Sequence, residues 1–166
     1  MTVTLVTEML DIAGEVDDRE ATQERLEAML EDGTALEKFR EIIEAQDGDP
    51  TACDDPREVL ATADHVEAFE APTSGIIERI DAEEVGLASL ALGAGRQTKD
   101  DEIDHAVGLV FRNKRGASVE QGEPILDIHY NDHSELEACK ARLEEAIEVG
   151  EGPADEKPLV YETLSR

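Results

Sequence analysis

The sequence predicts an α+β chain, helical over its first third and built thereafter from short strands with two interposed helices. Three observations predict it. Apolar residues recur at helical spacing over residues 5–43, in three stretches divided by Gly14 and Gly33. From Val66 onward the texture changes to short β-branched runs separated by turn residues. Within that second part, Asp81 with Glu84 and Ser134 with Glu137 have the spacing that opens a helix.

Leu5, Met9, Ile12 and Ala13 form the first apolar stripe, and Gly14 is placed to cap its C-terminus. A second helix is expected to start near Asp17 or Asp18 and to bury Leu26, Met29 and Leu30 before Gly33. A third begins with Thr34 as N-cap and Glu37 three residues on, and presents Leu36, Phe39 and Ile43 until Gly48 and Pro50 end it. Each helix has one stripe and no partner but the other two, so the segment is expected to pack on a larger body. Asp55 and Pro56 start a further short helix, ending near Ala63.

Val66–Ala71 and Ile76–Ile80 read as strands around the turn Pro72-Thr73-Ser74-Gly75. Asp81 caps a helix carrying Val85, Ala88 and Leu92, which ends at Gly93. Gly108–Phe111, a short strand at Val119 and Ile125–Tyr130 follow, with turns at Lys114-Arg115-Gly116 and Glu120-Gln121-Gly122. Ser134 opens a helix with Leu136, Leu143, Ala146 and Ile147. Residues 150–158 are rich in Gly, Pro and acid and are expected to be mobile, and Leu159–Leu164 is a candidate edge strand. The expected division is residues 1–63, 64–149 and 150–166.

Acidic residues number 42 against 15 basic, a formal charge of -27 over 166 residues. Such a surface repels nucleic acid and anionic membranes, so neither is an expected partner. It is either a plain solvated surface or an adaptation to high salt, where screening removes the self-repulsion. Aromatic content is 3% with no Trp, so Leu, Ile, Val and Ala must supply the core. Cys53 and Cys139 lie far apart without a C-x-x-C, which argues against a zinc site or a disulfide framework and fits a reducing compartment. With no basic, apolar leader pattern at Met1 and no long apolar run, cytoplasm is the expected location.

The stretch most able to carry function is Leu92-Gly93-Ala94-Gly95-Arg96-Gln97-Thr98-Lys99, where two cations stand in a chain that has few. Gly93 and Gly95 admit either a helix C-cap followed by an ordered loop or an anion-binding loop. Neither the dinucleotide fingerprint nor a P-loop is present, and no cofactor is implied. Arg96 and Lys99 either serve an anion or pair with the surrounding acids, and pairing is the expectation. His129 and His133 have H-x-x-x-H spacing but straddle a strand end, so a metal site is not expected; His65 and His105 stand isolated. No local nucleophile motif occurs, and Cys53 reads as a surface thiol.

Three blocks together resemble the thymidine and pyrimidine-nucleoside phosphorylases. They are Leu92–Gly108 (L-G-A-G-R-x-x-K-x-D-x-I-D-x-A-V-G), Ala35–Arg40 with Ala45–Pro50, and Gly122–Asp132, which resembles the family's G-x-P-L-x-x-I-H-x-N-D with Ile125 at the leucine position. In the second block Asp47 replaces a glycine usual in the family. Ser74–Ile77 and Arg115–Leu126 also resemble the two halves of a biotinyl/lipoyl-type barrel, although no lysine lies between Arg115 and Lys140 to act as a carrier site.

The resemblance implies an α/β-hammerhead, or barrel-sandwich, domain over residues 64–149, with residues 1–63 the remnant of a central α/β domain. It implies the C-terminal part of an enzyme that takes a pyrimidine nucleoside and inorganic phosphate to free base and pentose 1-phosphate, working as a homodimer. The family's phosphate segment K-H-S-[TS]-G-G and its base-binding segment lie N-terminal to the matched part, and neither occurs in this sequence. No catalytic, metal or cofactor residue is therefore carried over. What remains is Gly93, Gly95, Arg96 and Lys99 as a candidate cleft-closing loop, and a missing N-terminal half as the implied partner.

Overall fold

The computed structural model describes residues 1–96, 98–154 and 158–164. Gln97 of the glycine-rich stretch and residues 155–157 of the acidic stretch lie outside them, as do the last two residues. The described chain is α+β, with helices and two small antiparallel sheets. It divides into two units, Met1–Val59 with Lys157–Arg166, and Leu60–Glu156.

Unit 1 holds α1 (Thr2–Ile12), α2 (Arg19–Glu31), α3 (Thr34–Ala45), a 3-10 turn at Pro50–Cys53 and the single-turn α4 (Pro56–Val59). Asp18 caps α2 by accepting the Ala21 N–H at 3.1 Å. The expected capping box on α3 does not form. Thr34 is already helical, its N–H is taken by the Asp32 carboxylate at 2.8 Å, and the N-cap is Gly33 at φ +88°. With the helix opening at Gly33, Thr34 lies inside the first turn, where its side chain no longer occupies the capping position. Met29 and Leu30, expected inside, are exposed, as are Leu36 and Phe39. Nor does α4 extend to Ala63. Its four residues are followed by irregular chain up to β1.

Two helices of unit 1 end in the same six-residue hydrogen-bond pattern, and the residue at its left-handed position differs. At the end of α1 the Gly14 N–H reaches Asp11 O and the Glu15 N–H reaches Leu10 O, with Gly14 at φ +77°. At the end of α3 the Asp47 N–H reaches Glu44 O and the Gly48 N–H reaches Ile43 O, with Asp47 at φ +59°. Asp47 is the one non-glycine at positive φ among the described residues.

Unit 2 contains sheet order β1-β5-β3 and sheet order β4-β2-β6, all pairs antiparallel. The strands are β1 (His65–Glu70), β2 (Gly75–Ile80), β3 (Gly108–Phe111), β4 (Ser118–Val119), β5 (Pro124–Tyr130) and β6 (Ile147–Gly150). Between β2 and β3 comes α5 (Ala82–Ala91), and between β5 and β6 comes α6 (His133–Ala146). Ile77, Ala88, Leu92, Ile125, Leu126, Ile128, Cys139, Leu143 and Ala146 are almost wholly buried together, so the sheets and both helices share one aliphatic core. On β5 the alternation is clear: Leu126, Ile128 and Tyr130 face inward, Asp127 and His129 outward.

Asp81 caps α5 as expected, accepting the Glu83 and Glu84 N–H groups. On α6 the cap is Asp132 rather than Ser134: its Oδ1 accepts both the N–H and the hydroxyl of Ser134 at 2.8 Å. Ile147, expected in that helix, leaves it in an extended conformation and pairs with Ile80. Its β-branched side chain suits the pleated edge better than another helical turn. The described residues 158–164 form no strand.

Candidate functional site

The segment from Gly93 to Asp104 is held at both ends. At its start α5 closes with the pattern seen on α1: Gly93 N–H to Leu90 O at 3.1 Å, Ala94 N–H to Ser89 O at 3.3 Å, and Gly93 at φ +89°. The helix C-cap is therefore present. Gly95 packs close to α5, since an added Cβ would stand 2.9 Å from Leu90 Cδ1. At its far end the Asp104 N–H donates to Gly93 O at 3.0 Å, closing the segment on itself. The Asp104 carboxylate accepts the Ala106 N–H at 2.9 Å and the Asn131 side-chain amide at 2.7 Å. Asn131 in turn accepts the Asp64 N–H at 2.7 Å. Between these anchors, Thr98 gives its N–H and hydroxyl to Asp101 at 2.7 and 2.6 Å.

Arg96 and Lys99 stand exposed on this closed loop. Among the described residues neither forms an ion pair, contrary to the expectation that they would pair with neighbouring acids. Of the nearby acids, Asp101 binds Thr98, and Asp104 binds Ala106 and Asn131. Other cations are paired, as in the two-pronged contacts of Arg40 with Asp54 and Arg112 with Asp127, but among the described residues Arg25, Arg57, Lys114 and Arg115 form no ion pair either. The Arg40 hydrogen bonds hold the Asp54 carboxyl below its ordinary range. Chemically the loop offers two cations that form no ion pair among the described residues, on a segment anchored at Gly93 and Asp104, and such charges can contact an anion.

One grouping was not legible in the sequence. His65, read as isolated, lies 5.3 Å from the Tyr130 ring and 4.8 Å from the His133 ring, with Tyr130 and His133 edge-on at 5.1 Å. Register brings them together, because His65 pairs across from Tyr130 and His133 opens α6 three residues later. Beside it the Asp132 carboxyl is held below its ordinary range, chiefly by the Ser134 N–H. Among the described residues no three His, Cys, Asp or Glu side chains converge as metal ligands. Nor is any described helix long and apolar enough to cross a membrane.

Residues 76–150, which contain this loop and most of both sheets, match the pyrimidine nucleoside phosphorylase C-terminal domain. The chain is 38% identical over 165 residues to the pyrimidine-nucleoside phosphorylase of Staphylococcus haemolyticus, covering 99% of this chain and 37% of that protein. It is 38% identical over 131 residues to that of Bacillus subtilis and 36% identical over 161 residues to that of Geobacillus stearothermophilus, covering 30% and 37% of those proteins. The chain thus spans about a third of the length of the curated relatives it matches. Its residues 76–150 thus match the family's C-terminal domain, and the chain as a whole is similar to that part of these phosphorylases.

Proposed function

We propose that this chain supplies the C-terminal scaffold of a phosphate-dependent pentosyltransferase, which takes a pyrimidine nucleoside and inorganic phosphate to free base and pentose 1-phosphate in nucleoside salvage. The observation that carries this reading is the continuous similarity to pyrimidine-nucleoside phosphorylases over 97–99% of the chain, within about a third of their length. The reading is also supported by the sequence, which lacks the K-H-S-[TS]-G-G phosphate segment that the resemblance leads one to look for. On this reading the chain alone does not turn over, and substrates meet it only in the complete enzyme, a cytoplasmic homodimer. The alternative is a non-enzymatic module that docks on a separately encoded catalytic half.

Three finer assignments go with the proposal. Residues 64–149 form a hammerhead-type barrel-sandwich, supported by two three-stranded sheets joined through α5 and α6. Residues 1–63 are the remnant of a central domain, and residues 150–166 an acidic linker. Gly93, Gly95, Arg96 and Lys99 close over the substrate cleft of the complete enzyme, supported by the unpaired charges and the anchored ends of that loop. The acidity is an adaptation to salt.

The test is phosphorolysis of thymidine and uridine by the purified chain, alone and co-expressed with the unmatched remainder of the Staphylococcus haemolyticus protein. Turnover is expected only in the second case. Turnover by the chain alone overturns the assignment of chemistry to the absent part. Arg96→Ala in the active pair is expected to raise KM or lower kcat, and unchanged kinetics reduce the loop to a helix cap.

A further inference from the structure

His65 and His133 stand exposed on unit 2, with their ring centroids 4.8 Å apart and their planes tilted by 40°. Each belongs to a regular element. His65 begins β1 opposite Tyr130 of β5, and His133 is the first residue of α6. The ring of Tyr130, itself only 5% exposed, lies 5.3 Å from His65 and 5.1 Å from His133. The backbone on either side is tied down as well. The Asp64 N–H donates to the Asn131 side chain at 2.7 Å, and the Ser134 N–H donates to the Asp132 carboxylate at 2.8 Å. Sheet register, a helix cap and a buried ring therefore hold the pair, which gives it the fixed geometry a binding site needs.

Imidazole is the side chain best suited to borderline divalent ions such as Zn2+. Two imidazoles sharing one ion, with bonds of about 2.0–2.1 Å and an angle of about 90–110° at the metal, have ring centroids about 4.5–5.2 Å apart. The separation of His65 and His133 falls inside that range, so β1 and α6 already stand at the spacing a shared ion requires. Asp132 adds negative charge beside the pair. Its carboxyl is held below the ordinary range chiefly by the Ser134 N–H, with the charge of His133 contributing. Among the described residues no three His, Cys, Asp or Glu side chains converge, so the remaining coordination positions fall to water.

We infer that His65 and His133 form a solvent-open site for an imidazole-preferring divalent metal ion of the zinc class, which clamps the start of β1 to the start of α6. The inference is independent of the enzymatic reading above. Magnesium and calcium, which take oxygen ligands, are not its occupants.

The untagged full chain, with Cys53 alkylated, is titrated with Zn2+ at about pH 7.5, where a free imidazole is neutral. Excess Mg2+ is present to occupy the carboxylates. One ion per chain is expected, shifting the imidazole proton resonances of His65 and His133 together and leaving that of His105 in place. His65→Asn and His133→Asn should each raise Kd at least tenfold, whereas His105→Asn and His129→Asn should leave it unchanged. On the unaltered chain, amide exchange over residues 65–66 and 133–135 should slow when Zn2+ binds, a readout independent of how the variants fold. Zn2+ uptake that Mg2+ abolishes, or that survives His65→Asn, assigns the ion to other groups and overturns the inference. A loss on His129→Asn as large as that on His133→Asn transfers the ion to the H-x-x-x-H pair and overturns it too. So does the absence of saturable binding.

Discussion

The side-chain amide of Asn131 donates to the Asp104 carboxylate at 2.7 Å, joining the end of β5 to the chain returning from the Gly93 loop, 27 residues away. The same side chain accepts the Asp64 N–H just before β1, and the Asp104 backbone N–H reaches Gly93 O. One amide thus ties three segments. Asn131→Ala should cost about 1 kcal/mol, because its partners are exposed enough for water to replace it. The loop should feel it more: amide exchange over residues 98–106 should accelerate while the β5 core amides stay protected. Exchange unchanged in that segment would show that the loop is held by Gly93 and its helix cap alone.

Asp47 occupies the left-handed position that Gly14 serves at the matching helix end. A Cβ at φ +59° is strained, although Asp bears it better than most residues. Asp47→Gly should therefore stabilise unit 1 by roughly 0.5–1 kcal/mol, offset in part by the greater freedom of glycine in the unfolded chain. Asp47→Val should destabilise it by more than 1 kcal/mol. The slope of α3 amide exchange against denaturant reports both changes, and a destabilised Asp47→Gly contradicts the argument.

Two other glycines separate close approach to backbone from close approach to a side chain. A Cβ on Gly75 would stand 2.4 Å from Gly150 O, where β2 meets β6, and a carbonyl in a sheet cannot turn aside. A Cβ on Gly95 would meet only the methyl end of Leu90. Gly75→Ala should cost at least 2 kcal/mol and Gly95→Ala under about 1, read from urea midpoints at constant slope. The reverse order would mean that the β2–β6 edge yields more readily than the α5 terminus.

Strand positions and the C-terminus of α5 were legible because alternating β-branched runs and the Leu92-Gly93 junction have few alternative conformations. The N-caps of α3 and α6 were not. Asp32 and Asp132 accept the N–H groups of Thr34 and Ser134, which places those two residues inside the first turn instead of at the cap, and spacing alone cannot say at which residue the helix opens. Apolar stripes on α2 and α3 were readable as stripes, but a stripe does not reveal whether this chain carries its cover, and Leu30 and Phe39 turned out exposed. The His65–Tyr130–His133 contact depends on β1–β5 register, which periodicity cannot supply.

Cys139 is buried in α6 against the sheets, and burial pushes its thiol up to about 11, with Lys140 only partly opposing that. The folded state therefore holds this proton more tightly than the unfolded chain, whose thiol titrates near 9. Its contribution is fully present below pH 9 and is lost as pH rises toward 11, on the order of 2 kcal/mol across that window. The difference in unfolding free energy between wild type and Cys139→Ala, followed from pH 8 to 11 in molar KCl, should narrow accordingly. Ellman's reagent at pH 8 should label Cys53 within minutes and Cys139 only on unfolding. Equal labelling rates would place the Cys139 thiol outside the core.

Forty-two acids against 15 bases leave most carboxylates without a cation to match them. Screening shortens the Debye length from about 10 Å at 0.1 M salt to about 3 Å at 1 M, which removes long-range repulsion before it weakens contacts as close as Arg112 with Asp127 at 2.8 Å. The melting temperature should therefore rise steadily with KCl into the molar range. At low salt the same relief should come from acid, so lowering the pH from 7 toward 5 should stabilise the fold. That gain reverses at lower pH. Asp54 and Glu148 have carboxyls held below their ordinary range by hydrogen bonds from Arg40 and Arg79, so their contributions persist above the unfolded pKa and disappear as pH falls through the folded one. A melting temperature flat in KCl at pH 7, together with no rise between pH 7 and 5, would reduce the acidity to a solvated surface.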